Sequence, residues 1–449
     1  PPGGPAMNVK AQANYTLADE LQAAEARYTE ANPNGLAQWR RACEALPGGN
    51  TRTVLFYSPF PLTMARGEGA YLWDLDGHRY ADFLNDFTAG LYGHSHPVIR
   101  QAMAEALEAG LTLGGHNRYE ERLAALICGR FPSIELVRFT NSGTEASLMA
   151  VLTARAVTGR KRVLVFEGGY HGGVFYFAPG GSPLNLPADW LIGRYNDIAH
   201  SLDLIERNRG ELAAILVEPM QGAGGSIPGD PEFLGALRDA ATRAGSLLIF
   251  DEVMTSRLGP GGLQGELGVI PDMTVLGKYL GGGASFGAFG GRAEIMARFD
   301  PRSAGAFPHA GTFNNNVLSM AAGTAGLEAV FTPEAARELS ARGEALRARL
   351  NGIAEAKGAA MQVTGVGSVM TVHFGRCARE EIRSVDDLAA ADQDARALFH
   401  LEMLARGQYL ARRGLMSLSL ALDEDDLEAF AEAAADVLAV HGALLGGRD

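Results

Sequence analysis

Two short stretches decide the fold of this chain, LLIFDEV at residues 247–253 and TVLGKYL at residues 274–280. Each begins as an apolar run and stops abruptly at a charged side chain, Asp251 in the first and Lys278 in the second. Continuous apolar runs of this length are typical of strands that are buried on both faces of a sheet. The sequence therefore predicts two buried strands that each deliver one charge to the edge of a sheet.

A carboxylate and an amine placed in this way suit a site for pyridoxal phosphate. The lysine can form a Schiff base with the aldehyde, and the aspartate can hold the pyridine nitrogen protonated. A solvated surface lysine is disfavoured by the apolar or small neighbours of Lys278. A Walker-type phosphate lysine is excluded by spacing, because Asp272 stands where Gly is needed and Tyr279 where Ser or Thr is needed. A buried lysine with a depressed pKa fits best.

Between about residues 100 and 330, helical patterns alternate with short apolar runs. The predicted strands are 137–140, 163–166, 213–217, 247–250 and 273–276. This alternation predicts an α/β fold with a mostly parallel sheet.

Helix-capping and helix-breaking residues mark the ends of three predicted helices. Thr16 caps a helix from Leu17 to about Ala31, which Asn32-Pro33-Asn34-Gly35 is predicted to stop, with irregular sequence through residue 52. Asp230-Pro231 opens a helix that Gly245 ends, and Thr332-Pro333 opens a long one. Residues 70–80 predict a hairpin that turns at Asp76-Gly77.

Composition narrows the class of protein. The chain has 449 residues and a formal charge of −13 spread along its length, which argues against nucleic acid and anionic membranes as partners. No apolar run approaches the roughly 18 residues of a membrane span.

Three separated cysteines predict reduced thiols in a cytoplasmic protein. His94, His96, His116 and His309 do not form a metal set. Residues 1–6 look like an expression remnant before Met7 and are set aside.

Two loops carry candidate ligand-binding residues. FTNSGTEA at residues 139–146 predicts a strand, a turn and a helix start, where free N–H groups with the Ser142 and Thr144 hydroxyls would bind a phosphate. A simple helix cap is the alternative. EGGYHGG at residues 167–173 lets Tyr170 approach a flat ligand and stack on it, unless Tyr170 and His171 are merely turn residues.

For Asp251 and Val253 too, a purely structural role is the alternative to a cofactor contact. A buried Asp251 needs a partner, which a pyridinium N–H or, more commonly, a structural arginine can supply. Val253 could press on the ring face opposite Tyr170, although a plain core valine is the default.

Seven motifs, in order between roughly residues 45 and 420, together resemble the class III aminotransferases. They are GHSHP (93–97), NSGTEA (141–146), GYHG (169–172), VEPMQG (217–222), DEV (251–253), LGK (276–278) and GTF (311–313). The resemblance implies a fold-type I pyridoxal phosphate enzyme, with a mostly parallel seven-stranded sheet covered by helices and a smaller α+β domain formed by the two chain ends. The expected division is 1–85 and 336–449 for the small domain and 86–335 for the large, cofactor-binding domain.

The resemblance also assigns roles. It implies that Lys278 is the Schiff-base lysine and proton shuttle and that Asp251 pairs with the pyridine nitrogen. The implied phosphate ligands are Ser142, Gly143 and Thr144, with Tyr170 and Val253 on the ring. Thr312 would bind phosphate in the neighbouring subunit, so that a homodimer shares its sites.

Two arginines are implied as carboxylate ligands. Arg52 would receive the carboxylate of the substrate. Arg413 would receive that of a 2-oxo acid acceptor, with Arg412 as an adjacent competitor and an exposed, solvated arginine as the alternative.

Within the class, DEVMT (251–255) and the glycines of 281–291 resemble the glutamate-1-semialdehyde aminomutase branch. Other segments resemble the β-amino-acid aminotransferases of that branch, the β-phenylalanine type in particular: NTR (50–52), SPFP (58–61), SRL (256–258) and NNN (314–316). This implies transfer of the amine of a β-amino acid to a 2-oxo acid, 2-oxoglutarate or pyruvate. The alternatives are an aminomutase, a racemase of the branch, or a nucleotide-binding α/β protein, which lacks its expected G-x-G-x-x-G here.

Overall fold

A computed structural model describes residues 16–445 of the chain, so the predicted remnant at residues 1–6 lies outside the described residues. Its helices are α1 Leu17–Ala31, α2 Pro33–Ala42, α3 Pro97–Ala109, α4 Arg118–Arg130, α5 Gly143–Thr158, α6 Ile198–Arg207, α7 Pro231–Ala244, α8 Gly262–Leu267, α9 Ala293–Met296, α10 Val317–Ala329, α11 Pro333–Lys357, α12 Gln393–Ala405 and α13 Glu424–Leu445. Its strands are β1 Met64–Glu68, β2 Tyr71–Asp74, β3 Arg79–Asp82, β4 Leu136–Thr140, β5 Arg162–Phe166, β6 Trp190–Gly193, β7 Leu212–Val217, β8 Met220–Gln221, β9 Ile227–Pro228, β10 Leu247–Asp251, β11 Met273–Gly277, β12 Gly287–Gly291, β13 Met361–Val366, β14 Val369–Phe374, β15 Gln408–Tyr409 and β16 Leu415–Ser417.

A seven-stranded sheet forms the centre of the molecule, with strand order β4-β12-β11-β10-β7-β5-β6. Its strands are parallel except β12, which runs antiparallel to both of its neighbours. Every residue of β7, β10 and β11 is buried, as the continuous apolar runs predict. The α/β class, the mostly parallel sheet and the five predicted strands are confirmed.

Sequence patterns did not predict β6 or β12. The second of these reads GAFGG, a composition that usually weakens a strand. Glycine is required there because the backbone of β12 touches β4 and the loop after it. A Cβ on Gly290 would lie 2.8 Å from the carbonyl oxygen of Leu136, and one on Gly287 would overlap the carbonyl of Ser142.

The start of the described chain departs from the predicted irregular sequence. Thr16 caps α1 as predicted, and α1 ends at Ala31. After Asn32 alone, however, a second helix, α2, begins at Pro33. Proline is well tolerated in the first turn of a helix, because its missing N–H would have no intrahelical acceptor. Pro33, which was predicted to help end α1, therefore also begins α2.

The two ends of the described chain meet in a second sheet of order β1-β2-β3-β15. The predicted hairpin is confirmed as β2 and β3, with Gly77 at φ +89° in the turn. Strand β3 then pairs in parallel with β15, some 330 residues later, with Gln408 opposite Ala81. A third, antiparallel sheet holds β13, β14 and β16. Over residues 16–445, no helix is both long and apolar enough to cross a membrane.

Candidate active site

Asp251 and Lys278 reach the same edge of the central sheet. Strands β10 and β11 are parallel neighbours in which Asp251 lies opposite Val275. Asp251 is the last residue of β10, and Lys278 directly follows Gly277, the last residue of β11. Lys278 has a φ of +57°, a left-handed conformation that is uncommon for a residue with a side chain. The chain thus turns sharply at the residue that carries the amine.

The amine of Lys278 is partly buried and donates a hydrogen bond to the carbonyl oxygen of Phe87. The pKa of Lys278 is lowered to about 8, chiefly by burial and to a lesser extent by the positive charge of Arg413, against the opposing charges of Asp86 and Asp251. This agrees with the predicted buried lysine of depressed pKa. Near neutral pH a usable fraction of the amine is therefore uncharged and nucleophilic.

The carboxylate of Asp251 is buried and has two hydrogen-bond partners in the described part of the chain. One oxygen, Oδ2, lies 2.8 Å from Nδ1 of His171, and the other accepts a 3.0 Å hydrogen bond from the N–H of Val253. Within residues 16–445, no arginine, the commoner partner expected from the sequence, pairs with it. Because a carboxylate oxygen accepts more than one hydrogen bond, Asp251 can still receive a pyridinium N–H.

His171 and Glu218 were missed as functional residues by the sequence analysis. Glu218 is buried and accepts hydrogen bonds from the N–H of Tyr170 at 2.9 Å and of Gly222 at 3.0 Å. Burial raises the pKa of Glu218 to about 7, although the neighbouring His171 opposes the shift. Glu218 therefore fixes the loop that carries Tyr170. Their only sequence signal was a place inside the GYHG and VEPMQG motifs.

The amino end of α5 forms an anion cradle beside this edge. Ser142 is the N-cap residue and accepts a 3.2 Å hydrogen bond from the N–H of Glu145. The N–H groups of Gly143 and Thr144 lie in the first turn, where no intrahelical acceptor exists. A Cβ on Gly143 would lie 2.9 Å from Cγ2 of Val253, so the helix start is packed closely against the segment after β10. The capping and phosphate interpretations of Ser142 are thus compatible.

These residues fit pyridoxal 5'-phosphate. The helix start supplies N–H donors for a phosphate, Asp251 supplies a buried carboxylate for the ring nitrogen, and Lys278 supplies the amine for the aldehyde. Tyr170 keeps 43% of its surface exposed, and its ring lies edge-on to Tyr176 at a centroid distance of 5.5 Å.

A left-handed turn faces Lys278. Asn85, Asp86, Phe87 and Thr88 have φ values of 47°, 45°, 54° and 77°. Each non-glycine residue in this region costs of the order of 1–3 kcal/mol, so tertiary contacts must hold it. The side chain of Asn85 supplies two of them, donating to the carbonyl oxygens of Asp82 at 2.8 Å and Ser417 at 2.6 Å.

The turn also positions both arginines. Arg52 pairs with Asp86 at 2.7 Å, and its guanidinium lies 5.4 Å from the centroid of the Phe87 ring. Arg413 lies 5.3 Å from the same centroid. Three cationic side chains, those of Lys278, Arg52 and Arg413, therefore contact residues 86 and 87.

The exposed alternative for Arg413 is wrong, because this residue is partly buried and burial lowers its pKa. The charged and polar groups nearest to it include Tyr176, Tyr170 and Glu218. Arg412 turns away and instead feels the charges of Asp394 and Glu25. Of the two adjacent arginines, Arg413 thus faces the candidate site.

Thr312 lies elsewhere, on the surface. It lines a groove of about 1,070 Å³ together with Asn141, Leu113 and Phe313. Leu113 and Phe313 are large apolar residues that expose 53% and 61% of their surface. Among the described residues, 16–445, no group of three or more His, Cys, Asp and Glu side chains is arranged to hold a metal ion.

Comparison with known proteins gives a consistent result. The family model described as "Aminotransferase class-III" matches residues 56–182 and 188–397. The β-phenylalanine transaminase of Variovorax paradoxus is 56% identical over 419 residues, covering 93% of this chain and 96% of that protein. A crystal structure of a β-phenylalanine aminotransferase from V. paradoxus superimposes with a TM-score of 0.94 at 55% identity, covering 96% and 99% of the two chains. A glutamate-1-semialdehyde 2,1-aminomutase of Methanopyrus kandleri is 37% identical, over 92% of this chain and 98% of that one.

Proposed function

Because the chain belongs to the class III aminotransferases, we propose that it transfers the amine of an aromatic β-amino acid, such as β-phenylalanine, to a 2-oxo acid. The family is shown by the matched residues, and enzymes of this class use pyridoxal 5'-phosphate. One observation carries the β-amino-acid proposal. Arg52, within the NTR segment, lies beside Phe87, the residue whose carbonyl accepts from Lys278. The 56% identity to a β-phenylalanine transaminase supports it.

The residues of the chain divide the chemistry between them. When bound, the cofactor supplies an electrophilic aldehyde and a ring that withdraws electrons. Lys278 removes a proton from the amine-bearing carbon of the substrate and holds it on Nζ. Asp251, oriented by His171, would keep a proton on the pyridine nitrogen. The start of α5 would hold the phosphate, and Tyr170 would cover one face of the ring.

The carboxylate of a β-amino acid lies one carbon farther from the amine than that of an α-amino acid. Arg52 suits this longer reach because its fork can bind a carboxylate with two hydrogen bonds. In the structure its partner is Asp86, and both side chains are largely exposed. Exposed ion pairs contribute about 0–1 kcal/mol, so a substrate carboxylate can displace Asp86 at little cost. Arg413 would bind the carboxylate of the acceptor.

The test is spectroscopic. Protein loaded with pyridoxal phosphate should lose its yellow colour on addition of β-phenylalanine and regain it on addition of a 2-oxo acid, with equimolar formation of the new amino acid. Glutamate-1-semialdehyde should not be converted to 5-aminolevulinate. Colour that survives every β-amino acid, together with turnover of glutamate-1-semialdehyde, would establish an aminomutase instead.

We also propose a homodimer in which Thr312 completes the phosphate site of the partner. The exposed Thr312 and its apolar neighbours Leu113 and Phe313 support this proposal. Subunit complementation tests it. Lys278→Ala and Thr312→Val subunits, each poorly active, should form mixed dimers with one intact site when they are mixed. Recovery of activity and of tightly held cofactor is expected; no recovery in verified mixed dimers would contradict the shared site.

Two further features of the chain remain proposals. The large domain would span 86–335 and the small domain 1–85 with 336–449, which the sheet shared by β3 and β15 supports; parts of the small domain lie outside the described residues. A cytoplasmic location is supported by Cys43, Cys128 and Cys377, which are unpaired. Limited proteolysis would test the domain division, and detection of the protein in cell fractions would test the cytoplasmic location.

A further inference from the structure

Arg257 is fully buried, yet no acid in the described part of the chain balances its charge. Among residues 16–445, its guanidinium hydrogen-bonds only to two backbone carbonyl oxygens, and its Nε has no partner. Burial lowers the pKa of Arg257 to about 10, against the opposing effect of Tyr279 and Tyr92. An apolar side chain of similar volume is often at least as stabilising in such a place. Packing alone therefore does not account for an arginine here.

The second half of the left-handed turn, Phe87 and Thr88, depends on two side chains. In the first half, the carbonyl oxygens of residues 85 and 86 accept hydrogen bonds from N–H groups just after the turn. The carbonyl oxygen of Phe87 accepts from the amine of Lys278 instead. That of Thr88 accepts from Nη1 of Arg257 at 3.2 Å. Over residues 16–445, neither of these two carbonyls has another donor.

The guanidinium also ties the turn to a second segment. Nη2 of Arg257 donates to the carbonyl oxygen of Leu418, so that one planar group bridges Thr88 and Leu418. The first half of the turn is attached to the same segment, because the side chain of Asn85 donates to the carbonyl oxygen of Ser417 at 2.6 Å. A guanidinium suits this bridge, since its donors diverge from a rigid plane. Both ends of the turn are thus fixed to residues 417 and 418.

The short 3-10 helix Thr255–Arg257 reaches the other side of the same contact. The hydroxyl of Tyr279 is buried and donates to the carbonyl oxygen of Ser256 at 3.0 Å. Tyr279 follows Lys278 in the chain, just as Thr88 follows Phe87. The adjacent residues 256 and 257 therefore hold the neighbours of both members of the Lys278–Phe87 pair.

We propose that Arg257 is a positioning residue for Lys278: by bridging Thr88 and Leu418 it fixes the turn that places the amine and shields it from water. The inference rests on the proposed function, in which Lys278 carries the reacting amine. Because this amine turns from Phe87 to the cofactor when it reacts, Arg257 is then the side chain that keeps the second half of the turn in place. It would act through the backbone of the turn, without touching the substrate.

The first test follows the amine in cofactor-free protein. The charged groups nearest to Lys278 are those of Arg413, Asp86, Asp251 and Arg52, and burial is the chief cause of its depressed pKa. In Arg257→Met these charges remain, but a loosened turn admits water. The rate of combination with pyridoxal phosphate should then level off about one pH unit higher than in the unaltered protein. Stopped-flow absorbance from pH 6 to 10 provides the measurement.

The second test is kinetic. In Arg257→Met, kcat for β-phenylalanine should fall by about 10- to 100-fold, while KM changes by less than about threefold. A misplaced amine slows proton transfer, whereas no contact to the substrate is removed. The loss should be the same for 1-phenylethylamine, because Lys278 serves every amine.

Arg130→Met is the matched control. Arg130 also donates to a backbone carbonyl oxygen, that of Phe331, and lies near Tyr279 and Tyr92, but it does not bond to the turn. Its replacement should lower the thermal stability and leave both the pH profile of loading and kcat unchanged. A folded Arg257→Met protein that behaves in the same way would overturn the proposal and make Arg257 a purely structural residue.

Arg257→Lys keeps the charge without the planar fork, and it gives a result even if Arg257→Met does not fold. The pH profile and kcat should shift in the same direction as in Arg257→Met, but less. Unaltered values in a folded Arg257→Lys protein would show that the fork is not needed and would overturn the bridge.

Borohydride reduction separates this inference from the proposed function. Reduction of the loaded, unaltered enzyme, followed by peptide mapping, should find the cofactor on Lys278. Cofactor on another residue would refute the role of Lys278 and, with it, the premise of the inference. Cofactor on Lys278, together with an unshifted pH profile and kcat in Arg257→Met, would refute the role of Arg257 alone.

Discussion

On one side of the catalytic pocket, Asp251 and Lys278 end two adjacent, fully buried strands, and α5 begins beside them. On the other side, Arg52, Phe87 and Arg413 come from three distant segments that meet at a strained turn. Under the proposed function, the sheet edge holds the groups that act on any amine, whereas the arginine side holds the groups that recognise carboxylates. Substitutions at the sheet edge should therefore damage all substrates equally, and those on the arginine side should discriminate between them.

The largest effect is expected at Lys278. Lys278→Ala removes the proton carrier, so turnover of every amino donor should fall by about 10⁴-fold or more, while cofactor still binds noncovalently. Steady-state rates and the absorption spectrum of the dialysed protein provide the measurement. Lys161→Ala, at an exposed lysine distant in sequence, is the control and should keep full activity. Turnover that survives in Lys278→Ala would rule out the assigned role.

Asp251→Asn should give the next largest loss. The substitution keeps the size of the side chain but removes the buried charge that His171 orients, a loss worth on the order of 10²–10³-fold in kcat. The loss should be the same for β-phenylalanine and for 1-phenylethylamine, which has no carboxylate. A loss confined to β-phenylalanine would show that Asp251 serves carboxylate recognition and not the chemistry at the amine.

The depressed pKa of Lys278 predicts a pH dependence of cofactor loading. Only the uncharged amine attacks the aldehyde, and the pKa is lowered from 10.5 to about 8. The rate at which cofactor-free protein combines with pyridoxal phosphate should therefore rise about tenfold per pH unit below pH 8 and level off above it. Stopped-flow absorbance from pH 6 to 10 checks this. A rise that continues beyond pH 9 would mean that the amine is solvated.

Arg52→Met should separate the two sides most clearly. Loss of a charged, two-point contact predicts a 10- to 100-fold lower kcat/KM for β-phenylalanine, which is equivalent to about 1.4–2.8 kcal/mol. The kcat/KM for 1-phenylethylamine should change by about twofold or less. Arg66→Met is a matched control, since Arg66 is also exposed, ion-paired and close to an aromatic ring. If both donors lose equally in Arg52→Met, Arg52 is a structural residue rather than a carboxylate ligand.

The sheet edge could be predicted from sequence because its signals are local. An apolar run that ends in one charge gives both the strand and the position of the functional group, as at Asp251 and Lys278. Strand β12 escaped prediction because close contacts with Ser142 and Leu136 demand glycine, which hides the strand pattern. His171 and Glu218 act through partners 80 and 48 residues away, which no local pattern reveals.

The arginine side could be predicted only through family resemblance, and only in part. Arg52 and Arg413 were expected from it, but Phe87 was not. The left-handed turn depends on the side-chain amide of Asn85 reaching Ser417, a contact 332 residues apart in the chain. Nothing in the local sequence of residues 85–88 indicates that both guanidiniums gather on one ring.

Phe87→Leu probes that ring and should have the smallest effect. Each cation–π contact at a solvated site contributes about 0.5–1 kcal/mol, so kcat/KM should fall about two- to fivefold for β-phenylalanine through Arg52 and by a similar factor for the acceptor through Arg413. Leucine, like phenylalanine, is not β-branched, so it adds no strain to the left-handed backbone, and the carbonyl that accepts from Lys278 is kept. Phe87→Tyr retains the ring and should behave like the unaltered enzyme. If 1-phenylethylamine suffers as much as β-phenylalanine in Phe87→Leu, the turn serves Lys278 rather than the arginines, and the boundary between the two sides of the pocket must be redrawn to include it.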